Sequence, residues 1–365
     1  MLVQSESFPE FAHKNTYGIE AIPQDAYQDA MKNLTMPGGC QDRIKACRAA
    51  AKGGDSLGLG TNETVNKLCV DATLFCFDNV QGVYSMSGRN VFDITQLSPA
   101  IFPPEYSVGF FNQPWVQDAL GVAVNFTLSA DIVRQIMFGV TGDPVRAEIS
   151  DLEYLLSRGV KLAMVYGDRD YRCNWVGAEK ISLEMKYPSS EPFRAAGYAP
   201  ISTNKDYQGG LVRQHGNVSF SRVFEAGHGV TAYQPETVLQ IFERSMFGKD
   251  VATGKLSIDA DGKYSSAGPV SVSDVKNEGA ASPEPICFLM DALFTCAPNQ
   301  LQALADGSAV IENFVVVSPK ADVPEADASG GADQQEGQSA GLRSFHMSVV
   351  TLALATGIAV SSTVW

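Results

Sequence analysis

The chain has 365 residues, of which 45% are hydrophobic and 19% are charged, and this composition excludes an intrinsically disordered protein. A formal net charge of -14 and a pI near 4.7 exclude nucleic acid as a partner, because binding to phosphates requires a basic face. The length allows one large domain with appendages.

The first predicted elements are a helix and a helical insertion that carries several cysteines. Residues 20–36 predict a helix with Pro23 near its first turn, where proline is tolerated. From Cys40 to Cys76 the chain is Gly-rich and short-helical. This pattern is typical of a cap inserted beside a sheet rather than of the sheet itself.

The seven cysteines predict a disulfide framework with one thiol left over. In the cap, each close pair of cysteines has six residues between its members, and this symmetry favours nested bridges, although four cysteines allow three connectivities. Bound zinc is the alternative, but zinc ligands usually lie two to four residues apart with a histidine nearby. The predicted bridges are Cys40–Cys76, Cys47–Cys69 and Cys287–Cys296, and Cys173 is the odd residue.

The middle of the chain alternates between helices and strands. Predicted helices begin at Asp143 and Pro235, and a further one begins at Pro114. Residues 160–166 are apolar at most positions, which is typical of a strand in a covered sheet, and residues 221–224 predict a second strand. The alternation, with polar loops at the strand ends, predicts the α/β class.

The C-terminal part of the chain has a different character. Residues 249–317 predict a small β-rich extension with its own disulfide, and residues 318–346, rich in Ala, Asp, Gly and Gln, predict a flexible linker. Residues 347–365 are apolar and uncharged, and with the small residues at 329–331 they predict a glycolipid (GPI) anchor signal. A membrane span and a buried terminal helix are the alternatives, and the Ser and Thr content makes a span marginal.

Glycosylation acceptor sequences point to the secretory pathway. Together with the paired cysteines they predict a secreted or cell-surface glycoprotein, with the vacuole as the alternative location. Residues 1–6 have neither the charged segment nor the apolar core of a signal peptide, so we expect the natural N-terminus to lie upstream. The acceptor asparagines are Asn33, Asn62, Asn125 and Asn217.

Two residues with catalytic chemistry follow the two predicted strands. Asp170 lies in the loop after residues 160–166, and His228 lies in the loop after residues 221–224. In a hydrolase triad a buried carboxylate holds the histidine in one tautomer, so that its other ring nitrogen takes the proton of a serine. The order and setting predict the acid and base of a Ser-Asp-His triad. The alternative is that both are ordinary loop residues.

Two longer blocks resemble the serine carboxypeptidase family. Residues 166–177 (YGDRDYRCNWVG) resemble its aspartate block, and residues 223–228 (VFEAGH) resemble its histidine block. Residues 15–19 (NTYGI) and 38–40 (GGC) resemble the fungal secreted branch, of the carboxypeptidase S type. The resemblance covers about residues 8–265 and implies an α/β-hydrolase fold with a disulfide-stapled helical cap at about residues 33–80.

By this resemblance Asp170 is the triad acid and His228 is the general base. Cys173 matches the family's unpaired cysteine in the substrate pocket, and Asn174 and Gly229 are the other expected substrate contacts. The family releases C-terminal residues from peptides at acidic pH through an acyl-enzyme, so peptide and protein C-termini are the implied partners. The resemblance implies neither a metal nor an organic cofactor.

The chain departs from the family's pattern at the nucleophile. The blocks Gly-Glu-Ser-Tyr-Gly and Trp-Asn-Gly-Gly-Pro-Gly, which hold the serine and most of the oxyanion hole, do not occur in it. Gly229 and Thr231 stand where relatives place a larger residue and a proline, so the leaving-group preference is in doubt.

We expect residues 1–248 to be the C-terminal part of an α/β-hydrolase domain, without the central strands that the nucleophile segment supplies. Because a triad acts as a unit, the acid and base alone should give almost no hydrolysis. A non-catalytic relative that binds peptides and a cell-surface structural protein are the alternatives.

Overall fold

The computed structural model describes residues 5–98, 100, 102–104, 106–258, 263–277 and 285–322. The chain divides into two units, one formed by residues 1–103 and 128–283 and the other by residues 104–127 and 284–365. The helices are α1 (Ser7–His13), α2 (Gln24–Thr35), α3 (Cys40–Gly54), α4 (Glu63–Cys76), α5 (Tyr106–Phe111), α6 (Pro114–Leu120), α7 (Asp131–Gln135), α8 (Ser150–Ser157), α9 (Trp175–Glu184), α10 (Ser190–Ala195), α11 (Val230–Tyr233), α12 (Pro235–Met246), α13 (Ala292–Thr295) and α14 (Pro298–Asp306). The strands are β1 (Leu162–Gly167), β2 (Tyr198–Ser202), β3 (Gln208–His215), β4 (Val218–Val223), β5 (Val310–Glu312) and β6 (Val315–Ser318).

The first unit contains a sheet of mixed direction with the strand order β1-β4-β3-β2. β1 and β4 are parallel, with Gly167 opposite Val223, whereas β3 is antiparallel to both β4 and β2. Because parallel neighbours end at the same edge of a sheet, the loops that follow β1 and β4 leave it side by side. Every residue of β4 is buried, as expected for a strand covered on both faces.

Aromatic side chains fill the core between this sheet and its helices. Phe220 of β4 is fully buried, and its ring centroid is 5.9 Å from that of Tyr166 on β1. Phe8 and Phe11 place α1 in the same core, where the Phe8 ring is 5.4 Å from Tyr171. Burying these rings removes a large apolar area from water, which is the main stabilising contribution. Since Tyr171 belongs to the loop after β1, α1 packs directly against that loop.

The cap is built around α3 and α4, which two disulfides join. Cys40 pairs with Cys76 and Cys47 pairs with Cys69, the nested arrangement that the spacing predicts. All four cysteines are buried and form a small apolar core with Ile44 and other aliphatic side chains. The cap therefore has its own core, separate from that of the sheet.

One predicted helix boundary is wrong. The helix expected from Asp143 begins only at Ser150, as α8, and Asp143–Val145 form a single 3-10 turn. Arg146, directly after this turn, pairs with buried Asp55 of the cap at 2.7 Å. This contact between distant parts of the chain fixes the backbone in a turn, so tertiary structure overrides the local helix-start signal.

The second unit contains α6, which begins at Pro114 as predicted, and an antiparallel pair formed by β5 and β6. Cys287 pairs with Cys296, as the spacing also predicts. The linker beyond residue 322 and the apolar tail at 347–365 lie outside the described residues. In the ranges given above, no helix combines the length and the apolarity that crossing a membrane would require.

Candidate active site

The loop that follows β1 carries Asp170. At Gly167 the chain passes so close to its neighbour that a Cβ atom would lie 2.2 Å from the carbonyl oxygen of Ala226, so the position requires glycine. The same carbonyl accepts a hydrogen bond from the N–H of Arg169 at 2.9 Å. Asp170 Oδ1 accepts from the backbone N–H of Cys173 at 3.1 Å, which fixes the carboxylate within its own turn.

The loop that follows β4 carries His228. Glu225 adopts a left-handed φ of 55°, which is uncommon for a residue with a Cβ, and its N–H donates to the Tyr17 hydroxyl at 3.2 Å. Three residues later the N–H of His228 donates to the carbonyl of Phe92 at 2.8 Å. These contacts hold the sharp turn and direct the imidazole toward Asp170.

The two loops bring Asp170 and His228 into direct contact. Asp170 Oδ2 lies 2.8 Å from His228 Nδ1, and the side chains are 4% and 45% exposed, respectively. The hydrogen bond from Asp170, with a further one involving Cys173, raises the pKa of His228 to about 10, while desolvation acts in the opposite direction. With Nδ1 held, Nε2 is the ring nitrogen that can exchange a proton with another molecule.

Cys173 borders this pair as a half-buried free thiol. One ligand atom from each of Asp170, Cys173 and His228 lies within 4.8 Å of the other two, so together they could surround a metal ion. Tetrahedral zinc would separate its oxygen and nitrogen ligands by about 3.3 Å. The Asp170 and His228 atoms are only 2.8 Å apart and share a hydrogen bond, which is the geometry of an acid–base pair.

Residues 91–94, which sequence reasoning did not single out, brace both loops. This segment accepts a hydrogen bond from the N–H of Arg172 and donates one to the carbonyl of Arg169, both at 2.9 Å. The Phe92 ring also lies 4.9 Å from the imidazole of His228. These contacts join distant parts of the chain, mostly through the backbone, so no residue spacing could have predicted them.

The other two predicted substrate contacts lie at helix starts. Asn174 is fully buried and caps α9, with its Oδ1 accepting from the N–H of Gly177 at 2.9 Å. Its amide nitrogen donates to the carbonyl of Tyr171, so both ends of the side chain have partners inside the protein. Gly229 precedes α11, where a Cβ atom would make only ordinary contacts, the nearest at 3.5 Å to Pro103. A contact of either residue with substrate stays a prediction.

The predicted glycosylation sites differ in their surroundings. Asn62 caps α4, and its Oδ1 accepts hydrogen bonds from two backbone N–H groups. Asn217 is exposed in the turn between β3 and β4, Asn33 is half-buried on α2, and Asn125 is exposed in the second unit. Glycan attachment at these four residues stays a prediction.

The chain belongs to the serine carboxypeptidase family, whose sequence pattern matches residues 3–248. This membership and the parallel β1–β4 pair with its stapled helical cap confirm the α/β-hydrolase class expected from the sequence. The match includes both loops that carry Asp170 and His228.

Similar proteins come from fungi. Carboxypeptidase S1 homolog A of Arthroderma benhamiae is 45% identical over 325 residues, which cover 88% of this chain and 50% of that protein. A carboxypeptidase Y homolog of the same organism is 40% identical over 326 residues, which cover 87% of this chain and 51% of that protein. The chain therefore spans about half the length of these curated relatives.

One similar solved structure is Kex1(Δ)p, a prohormone-processing carboxypeptidase from Saccharomyces cerevisiae. It superposes with a TM-score of 0.43 at 17% identity, over 67% of this chain and 52% of that one.

Proposed function

We propose that the chain carries the acid and the base of a serine-type carboxypeptidase, which releases C-terminal residues from peptides. The observation that carries the proposal is the 2.8 Å contact between Asp170 and His228, on two loops at one edge of the sheet. Membership in the serine carboxypeptidase family, and similarity to proteins named carboxypeptidase S1 and carboxypeptidase Y homologs, support it.

The environments of the two residues suit different roles. Buried Asp170 holds the Nδ1–H of His228 and stabilises the imidazolium that forms during reaction. Nε2 of His228 takes the proton of a serine hydroxyl as its oxygen attacks the peptide carbonyl, and returns that proton to the departing amino group. Water then attacks the acyl-enzyme while Nε2 takes its proton, and Nε2 returns that proton to the serine oxygen as the peptide acid leaves. The block that would supply the serine does not occur in this sequence, so the proposal places it in a longer polypeptide.

The solvent exposure of His228 affects its pKa and therefore the fraction of the imidazole that is neutral. A histidine with a pKa of about 10 stays protonated at neutral pH, whereas a base must be neutral before it accepts a proton. Desolvation lowers the pKa of a histidine, and 45% of this side chain is exposed. A serine-bearing segment that covers the imidazole would therefore lower its pKa and increase the fraction of neutral imidazole, the form that accepts a proton, at the acidic pH expected for the family.

A non-catalytic peptide-binding or cell-surface protein is the second candidate, favoured by the lack of a Gly-Glu-Ser-Tyr-Gly block in the sequence. Peptide mass spectrometry of the N-terminal region of the native protein separates the two candidates. Peptides that run upstream of Met1 through a Gly-x-Ser-x-Gly elbow support the enzyme. A mature chain that begins near Met1 would mean that Asp170 and His228 no longer serve catalysis, and would favour the binding role.

Hydrolysis is the direct test on a polypeptide that contains such an elbow. The substrate is an N-blocked dipeptide with a free carboxyl group, compared with its C-terminal amide to separate exopeptidase from endopeptidase activity. We expect Asp170→Asn to lower kcat by about 10⁴-fold, because the histidine is left in the wrong tautomer. Exposed Asp206 provides the matched control, Asp206→Asn. Full activity in His228→Ala would disprove the assignment.

We also propose an extracellular or vacuolar location, with a glycolipid anchor attached near residues 329–331. The apolar sequence at 347–365, the four acceptor asparagines and the fungal carboxypeptidase relatives support it. A phospholipase C that cleaves phosphatidylinositol should release the native protein from membranes. Protein that stays in the membrane fraction after this treatment would speak against the anchor.

A further inference from the structure

An arginine buried within the sheet connects the β1 loop to distant parts of the chain. Arg222 of β4 is fully buried, and its guanidinium lies 4.4 Å from the centroid of the Trp175 ring. Its Nη2 lies 3.4 Å from Oδ2 of Asp168 and donates to the Thr16 hydroxyl at 3.0 Å. Asp168 precedes Asp170 by two residues in the same loop. A charge this deeply buried is tolerated only where polar partners surround it.

Residues 264–277, called the strap here, supply the other partners of this guanidinium. The carbonyls of Val272 and Val275 accept from it at 2.8 and 3.1 Å, and Asn277 Oδ1 accepts at 2.6 Å. The N–H of Asn277 donates to the carbonyl of Thr16 at 3.0 Å. Most hydrogen bonds to the buried cation therefore come from a segment that lies beyond the family-matched residues 3–248.

The strap is fixed to the sheet along its length. The N–H of Ser266 donates to the carbonyl of Gln214, and the N–H of Gln214 donates to the Ser266 hydroxyl, both at 2.8 Å. The N–H of Tyr198 donates to the carbonyl of Pro269 at 2.8 Å. Val272 is 1% exposed and belongs to the main core. The strap is therefore a packed part of the first unit and can hold the Arg222 side chain in a fixed position.

Tyr17 extends this network to both catalytic loops. Its hydroxyl donates to Asp168 Oδ1 at 2.7 Å and accepts from the N–H of Glu225 at 3.2 Å and from Arg169 Nε at 3.3 Å. Burial raises the pKa of Asp168 to about 6, and the hydrogen bond from Tyr17 and the charge of Arg222 act against this rise. The charged form of Asp168 thus depends on both partners.

We propose that Arg222 and Asn277 are positioning residues for the Asp170–His228 pair. Held by the strap, Arg222 fixes Asp168, and Asp168 and Tyr17 together fix the two loops. The inference rests on the proposed function, since it makes the strap part of the machinery that orients the acid and the base. Removing the Asn277 amide leaves a buried guanidinium without its shortest hydrogen bond and should loosen Asp168.

The test uses the full chain and three substitutions. Asn277→Ala removes the acceptor, Asn277→Asp keeps an acceptor oxygen, and Lys276→Ala changes an exposed neighbour in the strap. The readouts are the pKa of His228, from NMR titration of its ring proton, and the rate at which iodoacetamide alkylates Cys173. We expect Asn277→Ala to lower the pKa of His228 by about 1 unit, a ten-fold change in proton affinity, and to speed alkylation. The other two variants should keep the parental values.

A purely structural role gives a different result. A lower melting temperature in Asn277→Ala with parental titration and alkylation would overturn the proposal. If Asn277→Ala does not fold, Thr16→Val, which removes another contact of the same guanidinium, should shift both readouts in the same direction but less; parental values there would overturn the proposal equally. Neither readout needs hydrolysis, so failure of the positioning role is distinguishable from failure of the carboxypeptidase role.

Discussion

At the scale of single residues, two aspartates in one loop differ because their partners differ. Asp170 accepts from a backbone N–H and from His228, so its charge is directed at the imidazole. Asp168 is completely buried and faces Tyr17 and Arg222 instead. A carboxylate that must orient a histidine needs one oxygen free for the ring, whereas one that braces a loop can have both oxygens occupied.

Asp170→Asn should show how far the carboxylate controls His228. We expect the pKa of His228 to fall from about 10 toward its ordinary value of 6.5, because the leading cause of the rise is the Asp170 hydrogen bond. NMR titration of the ring proton measures this shift. Exposed Asp206, replaced in Asp206→Asn, is the control, and a midpoint that stays near 10 in Asp170→Asn would contradict the assignment.

The same raised pKa predicts how stability depends on pH. A group whose pKa is higher in the folded state stabilises that state fully below its unfolded pKa and loses this contribution as pH rises through the folded value. For His228 the contribution should therefore disappear between about pH 6.5 and pH 10. Urea unfolding of the parent and of His228→Gln at several pH values measures the difference. A difference that is constant across this range would rule the coupling out.

At the scale of elements, Asn62 has two separable properties. Its side chain caps α4 by accepting the N–H groups of Thr64 and Val65, and it also begins a predicted glycosylation sequence. Asn62→Ala should lower the free energy of unfolding by about 1 kcal/mol through loss of the cap. Asn62→Asp removes the acceptor sequence but keeps the cap, so in unglycosylated protein it should match the parent. Equal stability of both variants would argue against the cap.

The elements that the sequence predicted well are those with strong local signals. The strands predicted at residues 160–166 and 221–224 correspond to β1 and β4, although β4 begins at Val218, earlier than expected. β2 and β3 were not predicted, because Pro200 in β2 and Gly209 and Gly210 in β3 are residue types that disfavour strands. In the fold, a Cβ atom at Gly210 would lie 2.3 Å from the carbonyl oxygen of Arg222. Close packing between strands, which no local pattern reveals, therefore decides these residue types.

The candidate site likewise combines residues that the sequence predicts with residues that it does not. Asp170 and His228 stand out because an aspartate and a histidine that each follow a predicted strand form a recognisable order. The contact through Phe92 and the strap residue Asn277 had no such signal, since each joins segments far apart in the chain. A sequence pattern can thus place chemical groups in loops, whereas the packing that orients them depends on the complete fold.

At the scale of the whole molecule, α12 presents its apolar side to solvent. Thr237, Ile241 and Arg244 face inward, whereas Leu239, Phe242 and Met246 are 51%, 60% and 62% exposed. The three exposed residues lie on one face at helical spacing. In the described sheet β1 pairs only with β4, so its other edge has no strand partner. An apolar stripe and an open strand edge on one molecule favour association with further polypeptide.

We therefore expect the isolated chain to associate with itself as its concentration rises. Replacing two members of the stripe, in Phe242→Lys/Met246→Lys, should weaken association by removing apolar area and adding charge. Exposed Glu243 on the same helix offers a matched control, because Glu243→Lys adds positive charge without removing an apolar side chain. Sedimentation velocity over a range of concentrations measures the result. A parent that remains monomeric throughout would show that this helix face and the free edge of β1 need no partner, and would weigh against a longer polypeptide that covers them.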